Sequence, residues 1–305
     1  MNEINKINKK DATSATSTSA TSTCAIKKIH LVYFSPSGSS EKVIKKIASS
    51  ITELHPDIPV EKHDLLTPAS RKQEYNFGPD DLVFFCTMTA SLVLTMFDEI
   101  FGCLNGNGAP FVGVATFSNS QYMKVILLQE IKSYAEKRGF KVAAMGAFPT
   151  AHSLAASLGG EGRPNADDEK LIAEFGQKVY EKVANASSVS GGDYVMHDEI
   201  KVDDADAEKV SAYRSVESGG HQVFPFRAKV ISDACIKCKT CVRHCPVDAI
   251  DIESKTFDLD KCIGCWSCIN RCPKKAISPA DPEVDGLVKK FSGAVKVPFE
   301  VEMMF

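Results

Sequence analysis

The residues with the clearest chemistry are eight cysteines between positions 235 and 272 of the 305-residue chain. They form two copies of one pattern, C-x2-C-x2-C-x3-C-P, which are separated by a constant offset of 27 residues. The copies contain, in order, Cys235, Cys238, Cys241 and Cys245, and then Cys262, Cys265, Cys268 and Cys272. A duplication in one register predicts two similar halves that build a pseudo-twofold unit.

The spacing predicts two iron–sulfur clusters with exchanged ligands. Three cysteines spaced by two residues can bind one face of a metal–sulfide cube, whereas the fourth points away from it. The proline after the fourth cysteine favours an extended chain that leads toward the other copy. We therefore expect one [4Fe-4S] cluster on Cys235, Cys238, Cys241 and Cys272, and another on Cys262, Cys265, Cys268 and Cys245. The alternative is a pair of zinc ribbons, but those sites usually have a longer spacer between their CxxC pairs.

The rest of the cysteines and the N-terminus bear on the cellular compartment. Cys24, Cys86 and Cys103 are scattered, and we expect them to be structural. Residues 1–25 are rich in Thr, Ser and Ala and have no apolar core of the kind a secretion signal needs, so we interpret them as a disordered tail. Together with the metal-ligand spacing, this indicates the reducing cytoplasm. No apolar run predicts a membrane span, and we expect no nucleic-acid partner.

Charge is distributed unevenly along the chain. Residues 226–279 contain ten Lys/Arg and six Asp/Glu, a net charge of +4. Because the whole chain has a net charge of −3, the remaining residues together carry −7. Basic patches are expected around Lys237, Lys239, Arg243 and Lys274. They favour docking on the acidic remainder of the chain or on an acidic redox partner protein.

The N-terminal half alternates strand-like and helical patterns, which predicts a doubly wound α/β fold with a parallel sheet. Strands are expected near 27–34, 59–64, 81–86, 111–117 and 140–148, and helices near 40–54, 91–104, 121–138 and 166–185, with 65–77 irregular. The predicted organisation is a tail at 1–25, an α/β domain at 26–185, an exposed linker at 186–225, a cysteine-rich domain at 226–280 and an extension at 281–305. The final residues of the extension are expected to pack as a strand.

A hydroxyl-rich loop follows the first predicted strand. It reads Ser-Pro-Ser-Gly-Ser-Ser at 35–40 and leads directly into a helix. Backbone N–H groups and hydroxyls at a helix N-terminus favour a phosphate monoester. The alternative is a serine-rich N-cap, in which Ser39 or Ser40 only satisfies the first N–H groups of the helix.

Both halves resemble known families. Residues 226–280 are similar to bacterial-type ferredoxins with two [4Fe-4S] clusters, and residues 26 to about 185 look like a flavodoxin domain. The whole chain after residue 25 resembles flavodoxin–ferredoxin fusion electron-transfer proteins of anaerobic microbes, which share its YFSPSGSS-like start, its Gly106–Pro110 turn and its His152-Ser153 pair. The resemblance implies a flavodoxin-like sheet followed by a small α+β ferredoxin domain.

The resemblance also implies FMN in the N-terminal domain. Its phosphate loop is matched by Ser35, Ser37, Gly38 and Ser40, with Ser39 between them, and Thr87, Phe117 and Asn119 are the candidates beside the flavin ring. Two arginines, two tyrosines and several glycines that the family places around the ring are missing here. The phosphate site is therefore preserved better than the ring site.

Together these features predict an electron-transfer protein that passes single electrons through two [4Fe-4S] clusters, with FMN as the link to two-electron chemistry. No acid–base pair or nucleophile motif marks a substrate site, so no named enzyme activity follows. Two alternatives stay open: a flavin-dependent reductase of a small acceptor, and a ferredoxin whose flavodoxin-like domain is a docking scaffold without a cofactor.

Overall fold

The computed structural model describes residues 26–89, 93–118, 121–153, 160–188, 193–197, 199–201, 229–280 and 301–305. The expectations for the N-terminal tail with Cys24, for Asn119 and for most of the linker lie outside these residues. In the ranges that are described, no helix is both long and apolar enough to cross a bilayer.

One six-stranded sheet organises the N-terminal half. The strands of this half are β1 (Lys28–Phe34), β2 (Val60–Asp64), β3 (Tyr75–Asn76), β4 (Asp81–Met88), β5 (Leu104–Asn105), β6 (Pro110–Phe117) and β7 (Lys141–Pro149). Five of the six strands run in the order β7-β6-β4-β1-β2 with all neighbours parallel, and the sixth, at the C-terminus of the chain, lies beside β7. The strands β3 and β5 pair separately. Counted along the chain, its order is 2-1-3-4-5, the order of flavodoxin-like folds. The doubly wound α/β prediction is confirmed.

Helices cover both faces of this sheet. They are α1 (Ser39–Thr52), α2 (Pro68–Arg71), α3 (Phe97–Gly102), α4 (Gln121–Lys137) and α5 (Ala166–Ser188). On one face, α1 buries Val43, Ile44 and Ile47 in the same apolar cluster as Phe175 of α5, at the spacing that aligns side chains on one side of a helix. A Cβ at Gly176 would lie 2.9 Å from the carbonyl oxygen of Ile47, so glycine permits the close approach of α5 to α1.

The cysteine-rich half is a small α+β module with visible internal repetition. It contains β8 (Lys229–Ile231), β9 (Ile250–Asp251), β10 (Thr256–Phe257) and β11 (Ile277–Pro279), and short helices at Thr240–Arg243 and Ser267–Asn270. β8 pairs with β11 and β9 pairs with β10, both antiparallel. Left-handed backbone recurs at the 27-residue offset in the pairs Lys237 and Gly264, Lys239 and Trp266, and Asp248 and Lys275. The duplication is therefore present in the backbone as well as in the cysteines.

The C-terminal residues return to the N-terminal sheet. β12 (Glu302–Met304) pairs antiparallel with β7, in register Met303 with Gly146. The predicted terminal strand is thus found. Two described residues of the predicted linker, Met196 and Ile200, are buried, and the Met196 N–H donates to Val142 O at 2.8 Å. This part of the linker packs on the domain instead of being exposed.

Two other segments differ from the sequence prediction. A helix was expected near 91–104, but the described part is a 3-10 turn at Leu94–Met96 followed by α3. The change occurs at Met96, whose φ of −97° and ψ of −1° depart from α-helical values. The segment 65–77, expected to be irregular, contains α2 and β3 because Thr67 caps α2 through its side chain and β3 finds β5 as a partner.

Candidate functional site

Two cavities in the cysteine-rich module each collect four cysteines. We call the first cavity the one lined by Cys235, Cys238, Cys241 and Cys272. We call the second cavity the one lined by Cys245, Cys262, Cys265 and Cys268. In both, three cysteines come from one copy of the motif and the fourth comes from the other, which is the exchanged arrangement expected from the spacing.

Backbone N–H groups point at the exchanged sulfurs in both cavities. Ala276 N–H donates to Cys272 Sγ at 3.3 Å, and Ala249 N–H donates to Cys245 Sγ at 3.3 Å. The two alanines are 27 residues apart, so the duplication extends to this bond. N–H bonds to ligand sulfurs stabilise the thiolate and raise the reduction potential of a cluster.

The cysteines of the two cavities differ in how deeply they are buried. In the second cavity Cys245, Cys265 and Cys268 are buried, whereas in the first cavity only Cys241 is. Burial raises the pKa of the Cys265 and Cys268 thiols to about 12. These thiols therefore need a metal cation to become thiolates at neutral pH.

A buried lysine adds a second difference. The Nζ atom of Lys229 donates to Cys262 Sγ at 3.5 Å and lies 5.3 Å from the ring centroid of Trp266. Lys229 is only 8 % exposed and Trp266 only 5 %. Trp266 lines the second cavity and is buried there, so its ring limits the access of water to the four cysteines. The duplicated position of Lys229 is Thr256, which is exposed.

The predicted phosphate loop lies between β1 and α1. Gly38 adopts φ +86°, which turns the chain into the first turn of α1. Ser35 Oγ accepts from the Glu41 N–H at 3.1 Å, and Ser40 Oγ lies 2.9 Å from Thr116 Oγ1. The hydroxyls of Ser37 and Ser39 lie 3.3 Å apart. The Ser35 and Ser40 hydroxyls thus already have protein partners. The Ser37 and Ser39 hydroxyls, together with the N-terminus of a 14-residue helix, fit a phosphate group.

The described ring-site candidates face the interior. Thr87 is fully buried and its hydroxyl donates to Phe34 O at 3.2 Å. Phe117 is 1 % exposed, and Lys124 Nζ lies 5.0 Å from its ring centroid. Their roles as flavin contacts, and that of Asn119, stay predictions.

Side chains from each half reach the backbone of the other. Arg271, next to Cys272 of the first cavity, donates to Pro36 O at 3.1 Å and to Ser35 O at 3.2 Å. In the opposite direction, Arg71 Nη2 donates to Pro246 O at 2.6 Å. The second cavity therefore lies against the N-terminal domain, and the predicted phosphate loop is in contact with the cysteine-rich module.

Apolar packing supports the same junction. Val247 and Ile263, which line the second cavity, also pack against the apolar cluster of the N-terminal domain that contains Phe34 and Met88. In addition, Asn270 Nδ2 donates to Ser153 O at 2.8 Å. Ser153 belongs to the His-Ser pair after β7, so that pair is adjacent to the module.

Sequence reasoning missed the functional candidates that depend on tertiary contacts. Lys229, Arg71 and Arg271 belong to no motif, and their partners lie 33, 175 and 235 residues away in the chain. The one available signal was an asymmetry between the copies: Arg271 precedes Cys272, whereas His244 precedes Cys245 at the duplicated position.

Comparison with known proteins identifies the module. Residues 234–276 match the family model described as the 4Fe-4S dicluster domain. No curated protein matches the chain. Among solved structures, a flavodoxin from the domain Archaea is 14% identical and covers 51% of this chain and 98% of its own, with a TM-score of 0.35.

Two further solved structures are similar to the same half. Flavodoxin 1 from Bacillus cereus is 18% identical, with 50% of this chain and 97% of that chain covered and a TM-score of 0.37. A short-chain flavodoxin associated with a PDU bacterial microcompartment is 12% identical, with 51% and 99% covered and a TM-score of 0.36. The strand order itself establishes the N-terminal fold. The chain therefore joins a flavodoxin-like α/β domain to a cysteine-rich module that matches the 4Fe-4S dicluster domain.

Proposed function

We propose that this protein carries single electrons between two [4Fe-4S] clusters in its dicluster module and FMN in its flavodoxin-like domain. The observation that carries the proposal is that the second cavity, with its four cysteines, packs directly against the N-terminal domain. When bound, the clusters supply one-electron chemistry and the flavin supplies exchange between one-electron and two-electron carriers.

The cysteines would hold the clusters, and their neighbours would set the environment. The ligands are Cys235, Cys238, Cys241 and Cys272 in the first cavity, and Cys245, Cys262, Cys265 and Cys268 in the second. Trp266 excludes water from the second cavity, and Lys229 places a positive charge beside its sulfurs. A nearby cation stabilises the reduced form of a cluster, which carries one more negative charge, whereas low exposure to water disfavours that extra charge.

The loop at 35–40 would hold the FMN phosphate. Ser37 and Ser39 offer hydroxyls, and the first N–H groups of α1 have no acceptor within the helix. The Arg271 guanidinium lies beside this loop, 4.0 Å from where a Cβ on Gly38 would be. It therefore adds positive charge to a loop that has no lysine or arginine of its own.

We also propose the setting in which the protein works. Eight thiols that must stay available as ligands favour a reducing compartment such as the cytoplasm. Lys239 and Lys274 line the first cavity, and Lys237 is adjacent in sequence. An acidic redox protein is the partner class that this surface favours.

Anaerobic purification followed by metal, sulfide and flavin assays tests the proposal. We expect about eight iron atoms, eight sulfides and one acid-releasable FMN for each chain, the content that two [4Fe-4S] clusters and one flavin require. The variant Cys103→Ser is the matched control, because this thiol is buried in the N-terminal domain and bonds Ile100 O. It should leave the iron content unchanged. Stoichiometric zinc without sulfide would overturn the cluster assignment.

A second candidate function follows from the buried ring-site candidates. Because Thr87 and Phe117 are committed to internal contacts, the N-terminal domain is also suited to be a docking scaffold without a cofactor. Full iron and sulfide content with no flavin, even after incubation with FMN, would support this candidate over the flavin-linked one.

A further inference from the structure

A histidine pair lies on two neighbouring strands at one edge of the N-terminal sheet. His30 is on β1, and Glu61 and His63 are on the edge strand β2. In the parallel register His30 is opposite Glu61 and Val32 is opposite His63. Because side chains alternate between the faces of a strand, these three side chains project from the same face.

The three side chains present their ligand atoms to one point. His30 Nδ1 lies 2.9 Å from His63 Nε2. Glu61 carboxylate oxygens lie 3.9 Å from each of these two nitrogens. One potential ligand atom from each of the three residues lies within 4.8 Å of the other two. Two imidazoles and a carboxylate are the ligand set of open zinc sites, in which water completes the tetrahedron.

The surroundings orient the rings toward this point. The other ring nitrogen of His30, Nε2, lies 3.4 Å from Asp81 Oδ1. A carboxylate behind a histidine fixes its tautomer, so that Nδ1 keeps its lone pair for a metal. Phe77 packs edge-on against both rings, with centroids 5.0 Å from His30 and 5.8 Å from His63. Tyr75 packs edge-on against His63.

Charge and protonation also favour a cation here. Burial is the main cause that lowers the pKa of both His30 and His63, so both rings are neutral at pH 7 and can act as ligands. One group opposes a cation: Lys28 Nζ is bonded to Glu61 Oε2 at 2.9 Å. Lys28 is at the exposed edge, and its ammonium can move into water when a metal takes the carboxylate.

We propose that His30, His63 and Glu61 form a zinc site that links β1 to the edge strand β2. Asp81 is a positioning residue that acts through His30. The site is independent of the cysteines and of the proposed electron-transfer function. Its competitor is a simple hydrogen bond between the two imidazoles, which needs no metal.

Equilibrium dialysis of the cluster-loaded protein against Zn²⁺ tests the site, with iron and sulfide assayed before and after. We expect one added zinc for each chain, with loss of at least tenfold in affinity for His63→Gln and for Glu61→Gln. X-ray absorption of the bound zinc should give only nitrogen and oxygen neighbours at about 2.0–2.1 Å, because a zinc that replaced cluster iron would have sulfur at about 2.3 Å. Zinc should also raise the melting temperature of the wild-type protein.

Two variants complete the test. His197→Gln is the matched control, since His197 is exposed and pairs with Asp193 away from this cluster, and it should bind zinc like the wild type. Lys28→Gln should bind zinc more tightly, because it removes the ammonium that competes for Glu61. Absence of added zinc, sulfur neighbours around it, or unchanged affinity in His63→Gln would each overturn the proposal.

Discussion

Among single residues, Lys229 distinguishes the two cavities most clearly. Its ammonium contacts Cys262 in the second cavity, and the residue that occupies the duplicated position, Thr256, is exposed and uncharged. A positive charge close to a cluster favours the state that has gained an electron. We therefore expect the reduction potential of the cluster in the second cavity to be higher with Lys229 than without it.

Replacing this lysine tests that inequality. Lys229→Met keeps the apolar stem and removes the charge, so the potential of one cluster should fall by on the order of 50–100 mV, the size of a Coulomb energy at a few ångströms in a partly screened site. Redox titration followed by electron paramagnetic resonance measures the two potentials separately. Lys237→Met is the control, because Lys237 is exposed and paired with Glu253 at 2.8 Å. If Lys229→Met left both potentials in place, the assigned role would be wrong.

Ligand exchange between the copies gives a second prediction at this scale. Cys272→Ser should prevent the first cavity from holding a cluster, although Cys272 belongs to the second copy of the motif. Cys245→Ser should prevent the second cavity from holding one. The remaining cluster reveals which cavity survived, since only the second is sensitive to Lys229. Adding Lys229→Met should therefore shift the remaining potential in Cys272→Ser and leave it unchanged in Cys245→Ser. The reverse result would mean that each copy supplies all four ligands of one cavity.

At the scale of elements, the sequence predicts what local periodicity determines. The ends of β1, β2, β4, β6 and β7 lie within two residues of the predicted strands, because runs such as LVYF and LVFF are apolar on both faces and hence buried. Cysteine spacing likewise predicts which four cysteines line each cavity. The strands β3 and β5 have two residues each, which is too short for an alternating pattern of apolar and polar residues to be recognised. They are strands because they pair with each other.

Contacts between elements that are distant in the chain could not be predicted in this way. The bonds of Arg271 to the loop at 35–40 join residues that are 235 and 236 positions apart in the sequence. The histidine pair was missed for the same reason. The alternation of side chains along a strand tells which face of its own strand each histidine is on, but it does not tell that β1 and β2 are neighbours. Register supplies that information, and it comes from the packing of the whole sheet.

The contact between Arg271 and the loop before α1 leads to a prediction for FMN binding. Arg271→Met removes two hydrogen bonds and a positive charge beside the proposed phosphate site, so the affinity for FMN should fall roughly tenfold. Quenching of flavin fluorescence on binding measures this. Arg243→Met is the control, because Arg243 bonds only within its own module in the described contacts, to Cys238 O at 3.0 Å and to Thr240 Oγ1 at 3.2 Å. Equal FMN affinity in both variants would exclude a contribution of Arg271 to the phosphate site.

At the scale of the whole molecule, the two cavities have different neighbours. The second packs on the N-terminal domain through Val247 and Ile263. The first is lined by Ile236, which is 58% exposed, and by Lys239 and Lys274. An apolar side chain among lysines, beside half-buried ligands, is suited to brief docking of an acidic protein. On the proposed function, we therefore expect one internal and one external side for electron exchange.

Removing charge from the external side gives the final prediction. The triple variant Lys237→Gln, Lys239→Gln and Lys274→Gln should be reduced at least tenfold more slowly by an acidic ferredoxin-type donor at low ionic strength, because electrostatic steering of encounter is lost. The dependence of this rate on salt should flatten, while the cluster potentials change little. A matched variant with Lys132, Lys141 and Lys170 changed to Gln carries the same loss of charge on the N-terminal domain and should react like the wild type. Reduced methyl viologen, a small cationic donor, should reduce every variant at an undiminished rate. Equal slowing of both triple variants by the acidic donor would show that net charge, and not the surface around the first cavity, controls the encounter.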